Sequence, residues 1–380
     1  MSGATVKILY LTQLFHPYIG GVEVLGVEYV RELRLRGHEV AIATSHGSLD
    51  LPDQDVIAGA AVHRFRLAEA LERRDPRAIL AAERRLGALK RTFAPDVVHL
   101  QLTDASVFFH LRTVEAHPAP TLVSVRVSLP DRRPGASSVL GRALRQADWV
   151  TANSGAMLER VRRAVPEIEA RSSLVYNGLP MPSIAPTPLP FDPPTLLCLG
   201  RVVEDKGFDL AIRALAEIRR HVPAARLIVS GDGSARAGLA REAAVLGLDD
   251  AVEFTGWVRP GEVPSLLNRA TVVLVPSRWQ EAFGLVALQA AQMARPVVAT
   301  KVGGLPEVVL DGATGLVVPP ESPASLAEGV SALLRDPPRA RALGLAARVR
   351  AEQVFGFAAY VRAHERLYAR LTGRLSHVAS

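Results

Sequence analysis

The segment Arg201-Val202-Val203-Glu204-Asp205-Lys206-Gly207 places two cations either side of an acidic turn, directly after the apolar run TLLCLG. A guanidinium and an ammonium so placed can neutralise the charge that grows on a departing diphosphate without a metal ion. The same spacing fits a surface ion pair with Glu204 or Asp205. A second segment, running from Ser277 through Glu281, Phe283, Gly284 and Leu285 to Gln289, ends a strand and opens a helix at a glycine. N–H groups near Gly284 and Leu285 would point at an anion, and Glu281 has the chemistry to accept hydrogen bonds from sugar hydroxyls or to cap the helix. Gln289 lies about one turn inside. Val302-Gly303-Gly304-Leu305-Pro306-Glu307 repeats the helix entry, and Gly20-Gly21 forms another after the first apolar run. Glycines there let a ligand approach backbone N–H groups, or simply make a tight turn.

Other phosphate chemistries fit less well. A dinucleotide site would show GxGxxG after the first strand, but the loop there reads FHPYIGG. Gly231 and Gly233 make GxG, yet Arg236 holds the third glycine position, and GxxxxGK[ST] is absent. Asp53-Gln54-Asp55 has the spacing of a metal-holding acidic pair, but it sits in a polar stretch where two aspartates arise readily by chance. No metal and no cofactor is expected.

The elements that must position these residues follow from hydrophobic period. Short apolar runs alternate with longer segments of helical period, the pattern of parallel βαβ units. Strands are predicted at Val6–Leu11, Val40–Thr44, Val97–Leu102, Thr121–Val125, Trp149–Ala152 and Leu174–Tyr176. A second series follows at Leu196–Leu199, Arg226–Ser230, Val252–Thr255, Thr271–Val275, Pro296–Thr300 and Leu316–Val318. Seven prolines between Pro180 and Pro194 read as a semi-rigid linker. The expectation is an α/β chain of two doubly wound, Rossmann-like domains facing across a cleft: residues 1–180, a linker at 181–194, residues 195–355, and a C-terminal helical stretch, 356–380, packing back across the first domain. In such sheets ligands collect at the carboxyl ends of the strands. His16, Asp104 and Arg126 fall at such ends, His16 and Asp104 as acceptor-side candidates; His16 also has a plain packing role open to it, and Asp104 a capping one.

Composition narrows the classes. A chain of 380 residues with 48% hydrophobic and 22% charged side chains can bury two cores. No apolar run reaches the roughly 20 residues of a membrane span, and the opening MSGATVKILYL reads as a strand, not a signal peptide. A cytosolic location is expected. The net charge of +7 is spread over both halves without an aromatic platform, so no nucleic-acid partner is expected. Cys198 is the only cysteine and lies in an apolar run, so a buried structural thiol is expected. In the predicted helix Pro76–Phe93, Ile79, Leu86, Leu89 and Phe93 form one stripe, while Arg77, Arg84 and Arg91 recur every seven residues on another side. That pattern fits an ordinary surface helix, or one that rests peripherally on the inner face of an anionic membrane.

Taken in order, FHPYIGG, LVYNG, LGRVVEDKG, VSGDG, EFTGWV, PSRWQEAFGLVALQA and TKVGGLPEVV resemble the GT-B retaining glycosyltransferases. This is the large family that includes glycogen and sucrose synthases and many bacterial mannosyl-, glucosyl- and N-acetylglucosaminyltransferases. The resemblance implies a hexosyl transfer from a UDP- or GDP-linked sugar to a glycan, lipid-linked or small-molecule acceptor. It implies that Gly20 and Gly21 approach the donor, that Arg201 and Lys206 hold its diphosphate, and that Glu281 contacts the transferred sugar. Amides of Phe283, Gly284 and Leu285 would bind phosphate, and the backbone near Val258 would meet the base. Two positions depart from the family pattern: Gln289 stands where a second glutamate is usual, and Arg126 where a histidine is usual near the donor sugar. These departures keep a non-catalytic sugar-nucleotide binder or partner subunit in view, and a GT-B sugar-nucleotide epimerase acting without an acceptor is a further alternative.

Overall fold

The computed structural model describes residues 5–101, 104–127, 138–279 and 281–374. The chain divides into two compact units, residues 1–176 with 358–380, and residues 177–357.

The first unit holds one sheet of eight strands: β1 (Lys7–Leu11), β2 (Glu39–Ser45), β3 (Gln54–Ile57), β4 (Ala60–Phe65), β5 (Val97–Gln101), β6 (Thr121–Val125), β7 (Trp149–Ala152) and β8 (Ser172–Leu174). Their spatial order is β3-β4-β2-β1-β5-β6-β7-β8, and every pairing is parallel except β3 with β4. All five residues of β5, VVHLQ, are buried, as expected of a strand covered on both faces. Leu102, the predicted end of that strand, lies outside the described residues, and β8 falls two residues earlier than its predicted position.

Sequence reasoning missed β3 and β4, treating the stretch after β2 as polar loop. They form a hairpin closed at Ala58 and Gly59, which both take positive φ, at +52° and +76°. That is the backbone a two-residue hairpin turn needs, supplied here without the Asn-Gly signature that would announce it.

The second unit carries β9 (Thr195–Leu199), β10 (Arg226–Ser230), β11 (Val252–Gly256), β12 (Val272–Val275), β13 (Val297–Thr300) and β14 (Gly315–Val318). They are all parallel, in the order β11-β10-β9-β12-β13-β14. The helix Phe208–Arg219 buries Phe208, Ala211, Leu215 and Ile218 at helical spacing against this sheet's core. Cys198 is fully buried there, and burial pushes its thiol well above the usual range.

The proline-rich stretch groups with the second unit, which begins at Asn177. The buried Arg295 explains why. Its guanidinium donates to the carbonyls of Ala270 at 3.1 Å and of Thr187, while Asn268 Nδ2 donates to Ala185 O at 3.0 Å. A segment whose prolines cannot pair as a strand is thus tied down through its carbonyls.

Residues 358–374 pack on the first unit through the helix Phe357–Leu371. Tyr368 lies fully buried, its hydroxyl 2.6 Å from both Tyr29 Oη and His99 Nδ1, and His99 Nε2 lies 2.7 Å from Ser124 Oγ. The His364 ring stacks on His99 at 5.3 Å. Burial, and then the Arg126 charge, lowers the His364 pKa to about 3, so the ring is neutral.

Candidate functional site

In the second sheet the strand order reverses between β9 and β12. At such a reversal neighbouring loops leave in opposite directions and open a crevice at the strands' carboxyl ends. The two loops singled out from the sequence are those two loops. Arg201 and Lys206 follow β9, and Ser277 and Glu281 follow β12.

Lys206 Nζ donates to Glu281 Oε2 at 2.5 Å, and Ser277 Oγ lies 3.3 Å from the same oxygen. Neither of the two plain roles offered above, a local ion pair for Lys206 or a helix cap for Glu281, is the one taken. Lys206 ignores the neighbouring Glu204 and Asp205 and reaches across to the other loop. Glu281 does not cap the helix Leu285–Gln292, whose N-cap is Gly284 with no side-chain hydrogen bond. Arg201 is exposed and makes no ion pair or side-chain hydrogen bond among the described residues.

Both loops are braced. Gly207 has φ +64°, and a Cβ there would lie 2.1 Å from Pro276 O, so the β9 loop closes onto the β12 loop only through glycine. Gly303 has φ +53° and passes as closely to Glu281 O, which accepts the Gly304 N–H at 2.8 Å. Thr300 Oγ1 donates to Ser277 O at 2.6 Å. Arg278, next after Ser277, is the main buttress. Its guanidinium takes Asp209 in a two-pronged bond, Glu321 at 3.1 Å and the Glu204 carbonyl at 3.2 Å. The hydrogen bond to Asp209 is the largest influence raising the Arg278 pKa. Nothing local in the sequence marks Asp209, 69 positions away, as its partner.

The remaining candidates of this unit share the same edge. Phe283 is buried against Phe355, ring centroids 5.5 Å apart, which fixes the backbone entering Gly284 and Leu285. Gln289 is half-buried, and its side-chain amide makes no hydrogen bond among the described residues. Val258 follows the edge strand β11, two strands from β9 and so about 10 Å along the edge.

In the first unit the order reverses between β1 and β5. Gly20 caps the helix Gly21–Leu35 after β1, with the Glu23 carboxylate lying over it. His16 is exposed on the same loop, and its carbonyl accepts from Arg64 at 3.2 Å. Asp104 opens the helix Asp104–Arg112 after β5, but its side chain lies outside the described residues. Arg126, expected at the donor, leaves the end of β6 with its guanidinium over the Tyr360 ring at 5.0 Å, donating to Tyr360 Oη and 3.4 Å from His364 Nε2. Asp53 lies 2.9 Å from His46 Nε2 and 2.8 Å from Arg85, while Asp55 pairs with the buried Arg64. These aspartates are thus engaged by side chains, and among the described residues no group of three or more His, Cys, Asp or Glu is placed to hold a metal ion.

Comparison with known proteins agrees with this architecture. Residues 183–350 match the family described as glycosyl transferases group 1, and residues 19–181 match glycosyltransferase family 4. The chain is 41% identical over 163 residues to a GDP-mannose-dependent alpha-(1-6)-phosphatidylinositol monomannoside mannosyltransferase of Mycolicibacterium smegmatis, a match covering 41% of this chain and 43% of that protein. It thus spans less than half the length of that relative. It is 32% identical over 352 residues to a D-inositol 3-phosphate glycosyltransferase of Acidothermus cellulolyticus, covering 83% of this chain and 78% of that one. Among solved structures, sucrose-phosphate synthase from Thermosynechococcus elongatus superposes with a TM-score of 0.83 at 23% identity, over 97% of this chain and 100% of that chain. Two parallel-sheet units, each matched to a glycosyltransferase family, and a relative matched over most of both lengths place this chain in the GT-B glycosyltransferase family.

Proposed function

We propose that the chain moves a hexosyl group from a UDP- or GDP-linked sugar to a glycan, lipid-linked or small-molecule acceptor, with retention of configuration and without a metal ion. The observation that carries this reading is the Lys206–Glu281 pair at the β9/β12 reversal, on the same loop as Arg201, which makes no ion pair among the described residues. Two cations on one loop, if both reach an anionic ligand, would supply the charge that a divalent metal would otherwise bring to a departing diphosphate. The helix start at Gly284 adds N–H groups. Glu281, already engaged by Lys206 and Ser277, suits a sugar-hydroxyl acceptor better than a nucleophile. In the step proposed, the bond from the anomeric carbon to the phosphate oxygen breaks and the acceptor oxygen bonds to that carbon on the same face. The acceptor proton passes to the departing phosphate oxygen.

Gln289 favours a second reading, a sugar-nucleotide binder that has lost turnover, because a neutral amide replaces the charge expected to strengthen bonds to the ribose. The exposed arginines of the helix Pro76–Phe93 favour peripheral contact with an anionic membrane, which would suit a lipid-linked acceptor. No helix among the described residues is long and apolar enough to cross a membrane.

The test is a thermal-shift screen of UDP-, GDP- and ADP-sugars, since a bound donor raises the melting temperature by mass action. Anomeric analysis of the product of the stabilising donor follows. Stabilisation by none of these donors would overturn the reading. Binding without transfer or hydrolysis across a broad acceptor panel would favour the second.

A further inference from the structure

The chain holds three tryptophans, and their surroundings divide them. Trp149 is buried, its indole N–H donates to Ser173 Oγ at 2.9 Å, and the Arg370 guanidinium lies 4.1 Å from its ring centroid. Trp257 and Trp279 are 53% and 68% exposed. Neither makes a ring contact, a cation–π contact or a side-chain hydrogen bond among the described residues. Both stand in loops at the carboxyl edge of the second sheet, after β11 and β12. Tryptophan is on average a well-covered residue, so an uncovered ring at a ligand-bearing edge calls for an occupant.

Trp279 has the more telling position. It follows Ser277 and Arg278, which Thr300, Asp209 and Glu321 hold in place. It precedes Glu281 by two residues, which limits the distance between their Cα atoms to about 7 Å. An exposed flat apolar ring and a carboxylate that accepts hydrogen bonds thus leave the chain two positions apart on one loop. A pyranose has the matching pair of surfaces, a patch of C–H groups on one face and hydroxyls around its rim.

We infer that Trp279 is a stacking platform for the hexosyl ring of the donor, its indole covering the C–H face while Glu281 takes the ring's hydroxyls. The inference rests on the function proposed above and extends it, since Trp279 then reads the sugar and not the nucleotide.

The experiment is calorimetric titration of the full chain and its Trp279→Ala, Trp279→Phe and Trp279→Leu variants with UDP and UDP-glucose, and with GDP and GDP-mannose. The expected result is that Trp279→Ala weakens the sugar nucleotide by about threefold to tenfold while leaving the free nucleotide unchanged. Phenylalanine should restore most of the loss, and leucine, apolar but without a ring face, should not. Equal losses for nucleotide and sugar nucleotide, no loss, or leucine equal to tryptophan would each overturn the inference. If the Ala variant does not fold, the Phe and Leu variants decide alone. Binding of neither pair by the unaltered chain would instead bring down the proposed function beneath it.

Discussion

Lys206 Nζ and Glu281 Oε2 meet at 2.5 Å across 75 positions of sequence, joining the loops on either side of the β9/β12 reversal. In this arrangement the ammonium neutralises the carboxylate, and Arg201 remains to receive an anion. A diphosphate would draw Lys206 towards itself and release Glu281 to the sugar, so the two side chains should act as a unit.

Lys206→Ala and Glu281→Ala should each lower transfer by on the order of a hundredfold or more. The double variant should be about as inactive as the worse single one, because coupled residues are not additive. Stability should change by less than about 1 kcal/mol, since both side chains are partly solvated. Chemical denaturation alongside the rate measurement checks this. Steady-state transfer should also survive EDTA; its abolition, with recovery on adding magnesium, would contradict the metal-free reading.

Gln289→Glu tests whether this position reaches the ribose. A carboxylate acceptor strengthens such a bond by roughly 1 kcal/mol, so nucleotide affinity should rise about fivefold by calorimetry. Unchanged affinity would place the Gln289 side chain off the nucleotide. Turnover appearing only in this variant would support the binder reading.

Lys90 predicts a pH dependence. It is 1% exposed in the helix Pro76–Phe93, with Nζ donating to the carbonyls of Thr113 at 3.2 Å and His110 at 3.4 Å and lying 3.3 Å from His110 Nδ1. Burial lowers its pKa from 10.5 to about 7. Between those values the unfolded chain binds a proton that the folded chain does not, so stability should rise as pH goes from about 7 to about 10.5. The full effect of such a shift is on the order of a few kcal/mol. Lys90→Met should remove that slope in urea titrations across the window; a slope equal to that of the unaltered chain would refute it.

Arg77, Arg84 and Arg91 are exposed and make no ion pair among the described residues. The chain should therefore co-sediment with phosphatidylserine vesicles at low salt and not with phosphatidylcholine vesicles. Replacing all three by alanine should weaken binding by on the order of a hundredfold, at about 1 kcal/mol per arginine. Failure to bind the anionic vesicles would remove the membrane contact from the proposal.

Lys90 also shows where sequence reading stops. It lies four residues after Leu86 and eight after Ala82, so the helical period puts it on the buried face, while its residue type argues for solvent. Only the carbonyls of the helix Asp104–Arg112 and the turn after it make that burial tolerable, and they belong to a distant stretch of chain. The hairpin at Ala58-Gly59 escaped for the opposite reason, a backbone shape imposed without the residues that prefer it. The prolines of 181–194 read as a semi-rigid linker, but what holds them is Arg295, about a hundred positions on.

Period and residue type along the chain were enough to determine alternating strands and helices, the two-unit α/β class, and the loops where chemistry would lie. Those are local properties, set by how successive side chains alternate between apolar and polar surroundings. Which loops become neighbours depends on strand order, and strand order is decided by packing over the whole unit. That is why the tertiary structure alone could pair Lys206 with Glu281, leave Arg201 without an ion pair among the described residues, and set Arg126 against Tyr360.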